Sequence, residues 1–171
     1  MSFKMIIQLI LASLLLVFST GAAWYEGSAI EEVPWEWKHT AIFSQIANGQ
    51  VEDRYDILQI DNFVYATKFA PTFPLLMLLS VTYLIILIGY TSLKSNRRVF
   101  KYFLSGIGAL FLVLSGFVSN SPTIGLKIFF VSFLLIGILL VGIGLFGFLN
   151  DRTKRTSRES ENGTIHRGNN A

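Results

Sequence analysis

The stretch FPLLMLLSVTYLIILIGY, Phe73–Tyr90, runs for eighteen residues without a charged side chain. A helix of ~20 apolar residues, rising ~1.5 Å at each, crosses a ~30 Å hydrocarbon core. In hydrocarbon every backbone N–H and C=O must find its partner within the chain, which a helix achieves inside a single segment. Phe73–Tyr90 therefore reads as a membrane span, and the pattern recurs. Met5–Ala23, Tyr102–Val118 and Ile128–Leu149 are equally free of charge. The third is short and gains length if Val99 and Phe100 join it. The fold expected is an all-α integral membrane protein, with four transmembrane helices and a small mixed extracytoplasmic subdomain between the first two.

Composition agrees with this reading. Of 171 residues 52% are hydrophobic and only 15% charged, against about a quarter charged in soluble domains. No cysteine is present. Disulfides, thiolate metal sites, cysteine nucleophiles and haem-attachment motifs are thereby excluded from these residues.

Charge sets the expected threading. The formal net charge is +3, but its distribution is uneven. Residues 24–69 hold Glu26, Glu31, Glu32, Glu36, Glu52, Asp53, Asp56 and Asp61 against Lys38, Arg54 and Lys68, a balance of −5. The segment after Phe73–Tyr90 holds Lys94, Arg97, Arg98 and Lys101 with no acid, and the tail from Asn150 adds five more basic residues. Basic residues beside hydrophobic blocks mark cytoplasmic ends rather than a nucleic-acid surface. Both termini are then inside and residues 24–69 outside, in a multi-pass protein of the plasma membrane.

The divisions expected are helix 1 at 1–23, an outer segment at 24–69, helix 2 at 70–93, a basic cytoplasmic loop at 94–101, helix 3 at 102–119, a short outer loop at 120–127, helix 4 at 128–149 and a disordered cytoplasmic tail at 150–171. Pro71 and Pro74 suit the start of helix 2, where a missing N–H costs little, and Ser119–Pro122 is a turn cluster. Lys4, an apolar run and STGAA also resemble a signal peptide ending near Ala23. A retained helix suits the apolar continuation into Trp24 and Tyr25 better. Either way the following segment lies outside.

Helices in lipid associate through small residues that let backbones approach. Ser105, Gly108, Ala109 and Gly116 on helix 3, with Gly137 and Gly144 on helix 4, are expected to form a tight hairpin. The uncharged spans lack the ionisable groups that proton relays, ion-coupled transporters and voltage sensors require. A passive pore stays open as an alternative.

Residues 24–69 are too long for a bare connector. Trp35, His39, Ile42 and Ile46 follow helical spacing after Pro34, Asn48-Gly49 signals a turn, Asp56–Ile60 (DILQI) alternates like a strand, and Asp61 reads as the N-cap of a following helix. Within the decapeptide EEVPWEWKHT (Glu31–Thr40), Glu36 and His39 have the Glu-x-x-His spacing of half a di-iron site. No second copy exists, so Glu36 and His39 remain weak metal candidates beside Glu31 and Glu32. A serine nucleophile, Ser28 or Ser44 near His39, lacks a supporting motif. Trp24, Tyr25, Trp35, Trp37 and Lys38 instead fit headgroup-level anchoring or a partner-binding surface.

The tail sequence DRTKRTSRES admits lipid binding, phosphorylation or a plain topology role. The sequon Asn162-Gly163-Thr164 is unusable from the cytoplasm.

Three stretches, AAWYEGSAI, EWKHTAIFS and ILQIDNFVYATKFAPTFPLLMLLSVTYLIILIGY, resemble small four-helix membrane proteins of Gram-positive, Bacillus-type bacteria grouped as a domain of unknown function. The resemblance covers the first half of the chain. It implies a bacterial plasma membrane and an ectodomain facing the wall, and it carries over no catalytic residue. Claudin-type tetraspan proteins share a long first loop, but their paired loop cysteines are missing here.

The function expected is non-enzymatic: an accessory, sensory or envelope-interaction protein acting through its acidic, Trp-rich outer loop. It would need no cofactor, and its partners would be the bilayer and a membrane or envelope protein, without nucleic acid. The alternatives are a small transporter or pore and, third, a surface metal-dependent enzyme resting on Glu36 and His39.

Overall fold

The computed structural model describes the backbone of residues 3–168 and the side chains of 3–150, 152 and 153. It is all-helical over these residues, with helices α1 (Phe3–Gly27), α2 (Pro34–Thr40), α3 (Ile42–Asn48), α4 (Gln59–Phe69), α5 (Thr72–Leu93), α6 (Arg97–Val118) and α7 (Ile124–Gly168). Short 3-10 turns occupy Ser28–Glu32 and Arg54–Asp56. Four stretches are long and apolar enough to cross a membrane: Phe3–Glu32, Thr72–Leu93, Arg97–Val118 and Ile124–Asn150.

Each long helix extends past its apolar block, because a helix once nucleated adds residues cheaply. The start of α6 shows how. Asn96 Oδ1 accepts from the Val99 N–H at 3.4 Å, so the helix begins at Arg97 and the expected 94–101 loop shrinks to three residues. The tail was expected to lack order, yet α7 continues in helical form to Gly168. It grows from a helix already formed and therefore needs no new nucleus. The tail's lipid, phosphorylation and sequon readings, and the side chain of His166, fall outside the described side chains.

The bundle is built as two helix pairs. In the first, α1 packs along α5 and Phe18 meets Phe73 edge to face at 6.0 Å between ring centres. In the second, α6 and α7 pack closely over most of their apolar lengths. Leu104, Phe111 and Leu140 form the buried core of the bundle, flanked by Leu78 and Ile86 from α5 and by Phe133 and Ile136 from α7.

The α6–α7 contact depends on small residues that allow the two backbones to meet. A Cβ added to Gly108 would lie 2.9 Å from the Gly137 carbonyl oxygen, and one added to Gly137 would lie 3.0 Å from that of Gly108. One turn or two further on, Gly144 faces the Ser105 hydroxyl. Ala109 and Gly116 do not belong to this seam: both are exposed, and Gly116 has nothing within reach of an added Cβ. The buried face of α6 is Leu104, Gly108, Phe111 and Ser115. Ala109 and Gly116 each follow a buried position by one residue, and a step of one residue turns ~100° around a helix.

The strand expected at Asp56–Ile60 is absent. Arg54–Asp56 is a 3-10 turn and α4 begins at Gln59. An alternating five-residue pattern makes a stable strand only with a neighbour to pair against, and no strand exists among the described residues. The subdomain is therefore helical rather than mixed.

Candidate functional site

Helix α4 lies across the end of the bundle where α1 stops and α7 starts. Two glycines seat it. A Cβ on Gly27 would strike the backbone of Asn62, and one on Gly125 would strike the carbonyls of Thr67 and Lys68. These close approaches join the two helix pairs through α4 at this end, and α4 in turn carries α2 and α3.

Asp61 is the central residue of the layer. Its side chain is fully buried and accepts from the Phe43 N–H at 3.0 Å, the Ser44 N–H at 2.8 Å and the Ser44 hydroxyl at 2.5 Å. Phe43 and Ser44 lie in the first turn of α3, whose N–H groups have no partner inside the helix. Asp61 thus caps α3 from seventeen residues away, whereas its position suggested a cap for its own helix. The cap residue of α4 is Leu58, which offers no side-chain cap. The Ser44 hydroxyl also accepts from the Leu58 N–H at 2.8 Å, tying the start of α4 to α3.

Lys68 does the converse for α2. Its Nζ donates to the His39 carbonyl at 2.6 Å and to the Thr40 hydroxyl at 3.1 Å. The Thr40 hydroxyl donates to Glu36 at 3.2 Å. Burial pushes the Lys68 amine below its ordinary value, and the Glu36 carboxylate opposes part of that shift. A carboxylate at a helix start and an ammonium at a helix end both complement the helix dipole.

The candidate residues separate into two groups. Trp37 is built into the layer: its indole N–H donates to the Ile30 carbonyl at 2.7 Å, and its own carbonyl accepts from the Gln45 side chain at 2.6 Å. Trp35 and Tyr25 are 74% and 75% exposed, and Trp24 and Lys38 are also on the surface. Trp37 is therefore fixed in place by the layer, whereas the side chains of Trp24, Tyr25, Trp35 and Lys38 make no such bond among the described residues. Local spacing could not reveal this difference, since both Trp37 bonds run to residues seven or eight positions away.

Glu36 is engaged with Thr40, while the His39 side chain is exposed. No group of three or more His, Cys, Asp or Glu side chains gathers among the described residues in a way that would hold a metal. Ser44 is bonded to Asp61 rather than to His39, and the Ser28 hydroxyl donates to the Tyr25 carbonyl at 2.7 Å. Sequence reasoning missed the pairing of Asp61 with Ser44 and of Lys68 with α2. The available signal was two opposite charges seven residues apart on a short helix of modest hydrophobicity.

An open cleft of about 600 Å³ lies between α2 and α3, lined by Pro34, Trp37, Lys38, Gln45, Gly49, Gln50 and Val51. A second groove, of about 610 Å³, runs along the α1–α5 pair and is lined by apolar side chains with Gln8 and Tyr83.

Four helices long and apolar enough to cross a membrane, joined at one end by a layer of short helices, define an all-helical protein compatible with the multi-pass class. The chain belongs to the family described as a domain of unknown function (DUF4306), which matches residues 6–93. That region takes in α1 through α5 and the whole capped layer, and it leaves α6 and α7 outside. The chain is also similar to the uncharacterized protein YjdJ of Bacillus subtilis (strain 168), at 29% identity over 98 residues, covering 55% of this chain and 90% of that protein. No solved structure matches.

Proposed function

We propose that this is a multi-pass plasma-membrane protein, with both termini cytoplasmic and residues 24–69 outside, that works without chemistry of its own. Its layer of short helices presents a fixed surface to a membrane or envelope protein. It acts as an accessory or sensory component, and it needs no cofactor and binds no nucleic acid. Placement outside follows from the basic residues at Lys94–Lys101 and beyond Asn150.

One observation carries the reading. The buried Asp61 and the partly buried Lys68 are both bonded to ends of neighbouring helices, so they shape the layer rather than attack a substrate. Around them Trp24, Tyr25, Trp35 and Lys38 stand on the surface. Exposed tryptophan and tyrosine serve as anchors both at headgroups and at protein contacts.

The test is crosslinking in intact membranes from a photoreactive residue at position 35. A discrete protein adduct that fades when Tyr25 is changed to Ala supports a partner surface. Adducts to lipid alone would contradict it and leave these side chains as membrane anchors.

A further inference from the structure

The bend between α2 and α3 sits at Ala41, which is fully buried. Asp61 fastens the α3 side of that bend and Lys68 the α2 side. The Gln45 amide reaches across to the Trp37 carbonyl as a strut. The two helices are therefore held in a fixed V, and the cleft of about 600 Å³ lies in its opening. That volume is in the range of small-molecule sites, which are mostly formed before the ligand arrives.

The lining has its own chemistry. Residues 24–69 carry eight carboxylates, yet none lines the cleft, where Lys38 is the charged group. Lys38 is exposed and has no ion pair among the described residues. Gln45 gives its amide N–H to Trp37, and its oxygen is uncommitted among those residues. Gln50 adds an amide with both a donor and an acceptor. Gly49, at φ +82°, lines the cleft in a backbone conformation that favours glycine. Trp37 supplies an indole whose position is fixed through its bond to Ile30.

We infer that the α2–α3 cleft binds a small acidic, hydroxyl-rich ligand of the sugar-acid class. Lys38 takes the carboxylate, the Gln45 and Gln50 amides exchange hydrogen bonds with hydroxyls, and the indole of Trp37 covers an apolar C–H face. The inference rests on the proposed function only in treating the layer as the working surface. It does not depend on which side of the membrane that surface faces.

The experiment uses the full chain in detergent micelles, with Trp24 and Trp35 replaced by Phe so that Trp37 is the only indole. Galacturonate is titrated against its emission, with galactose as the neutral control. A saturable change with galacturonate, at least tenfold weaker with galactose and in Lys38→Gln, is expected. Amide-exchange protection of Phe43 and Ser44 must stay unchanged in Lys38→Gln, showing the V intact. No saturable change would overturn the inference, as would equal binding by galactose or by the Lys38→Gln variant. Failure here leaves the crosslinking result at position 35 untouched, so the two readings fail separately.

Discussion

Asp61 and Lys68 stand seven residues apart on α4 and hold opposite sides of one bend: the carboxylate takes the first amides of α3, and the ammonium meets the last residues of α2. Short helices of seven residues are unstable alone. Both α2 and α3 have that length, so their order depends on what α4 supplies at the bend.

Asp61→Ala should therefore act locally and strongly. It leaves the buried Ser44 amide and the part-buried Phe43 amide without their acceptor, and a buried orphan costs about 1–3 kcal/mol. The expected loss is roughly 3 kcal/mol, with Asp61→Asn losing less because one acceptor oxygen survives. Hydrogen exchange should show amides 42–48 unprotected while the four long helices keep their protection.

Gly27 and Gly125 should be intolerant of even one methyl group. Alanine at either site pushes Cβ into the backbone of α4, and such overpacking typically costs 1–3 kcal/mol. Gly21, Gly106, Gly116 and Gly142 face open space, so alanine there should be neutral or stabilise by up to about 1 kcal/mol. Thermal unfolding in detergent separates the two sets. Gly144→Leu, which drives a side chain into Ser105 and Lys101, should fall with the first.

Much of this was legible in the chain and some was not. The four long apolar helices are visible as uncharged runs, each about the ~20 residues that a hydrocarbon core would require. Gly108, Gly137 and Gly144 were legible as close-approach residues, while Ala109 and Gly116 needed the actual helix rotation to be placed. Asp61 carries the local mark of an N-cap, and its true partner lies seventeen residues back. A cap made through tertiary contact leaves no spacing rule to read. DILQI shows the reverse case, a local pattern that no neighbouring strand was present to stabilise.

Lys68 should respond to pH in a definite direction. Its amine is held below the ordinary lysine value of 10.5, chiefly by burial. The unfolded chain then binds more protons than the folded one between the lowered value and 10.5, so this group's contribution to stability rises with pH across that window. Glu36 acts against the shift. Glu36→Gln should lower the Lys68 value further, and NMR titration of its Nζ checks the order.

Trp35 and Trp37 should behave differently despite being two residues apart. Trp37→Phe removes the hydrogen bond to Ile30, a loss of about 1 kcal/mol, and loosens the contact between α2 and the 3-10 turn Ser28–Glu32. Trp35→Phe should leave unfolding unchanged, since the ring is 74% exposed. Calorimetry or tryptophan emission during unfolding distinguishes them.

The arrangement across the membrane can be measured directly with single cysteines at Ala47 and Ser95, both exposed, in a chain that has no cysteine of its own. Intact cells treated with a membrane-impermeant maleimide should label position 47 at once and position 95 only after permeabilisation. Labelling of position 95 with position 47 protected would contradict the placement of the α2–α4 layer outside the cell.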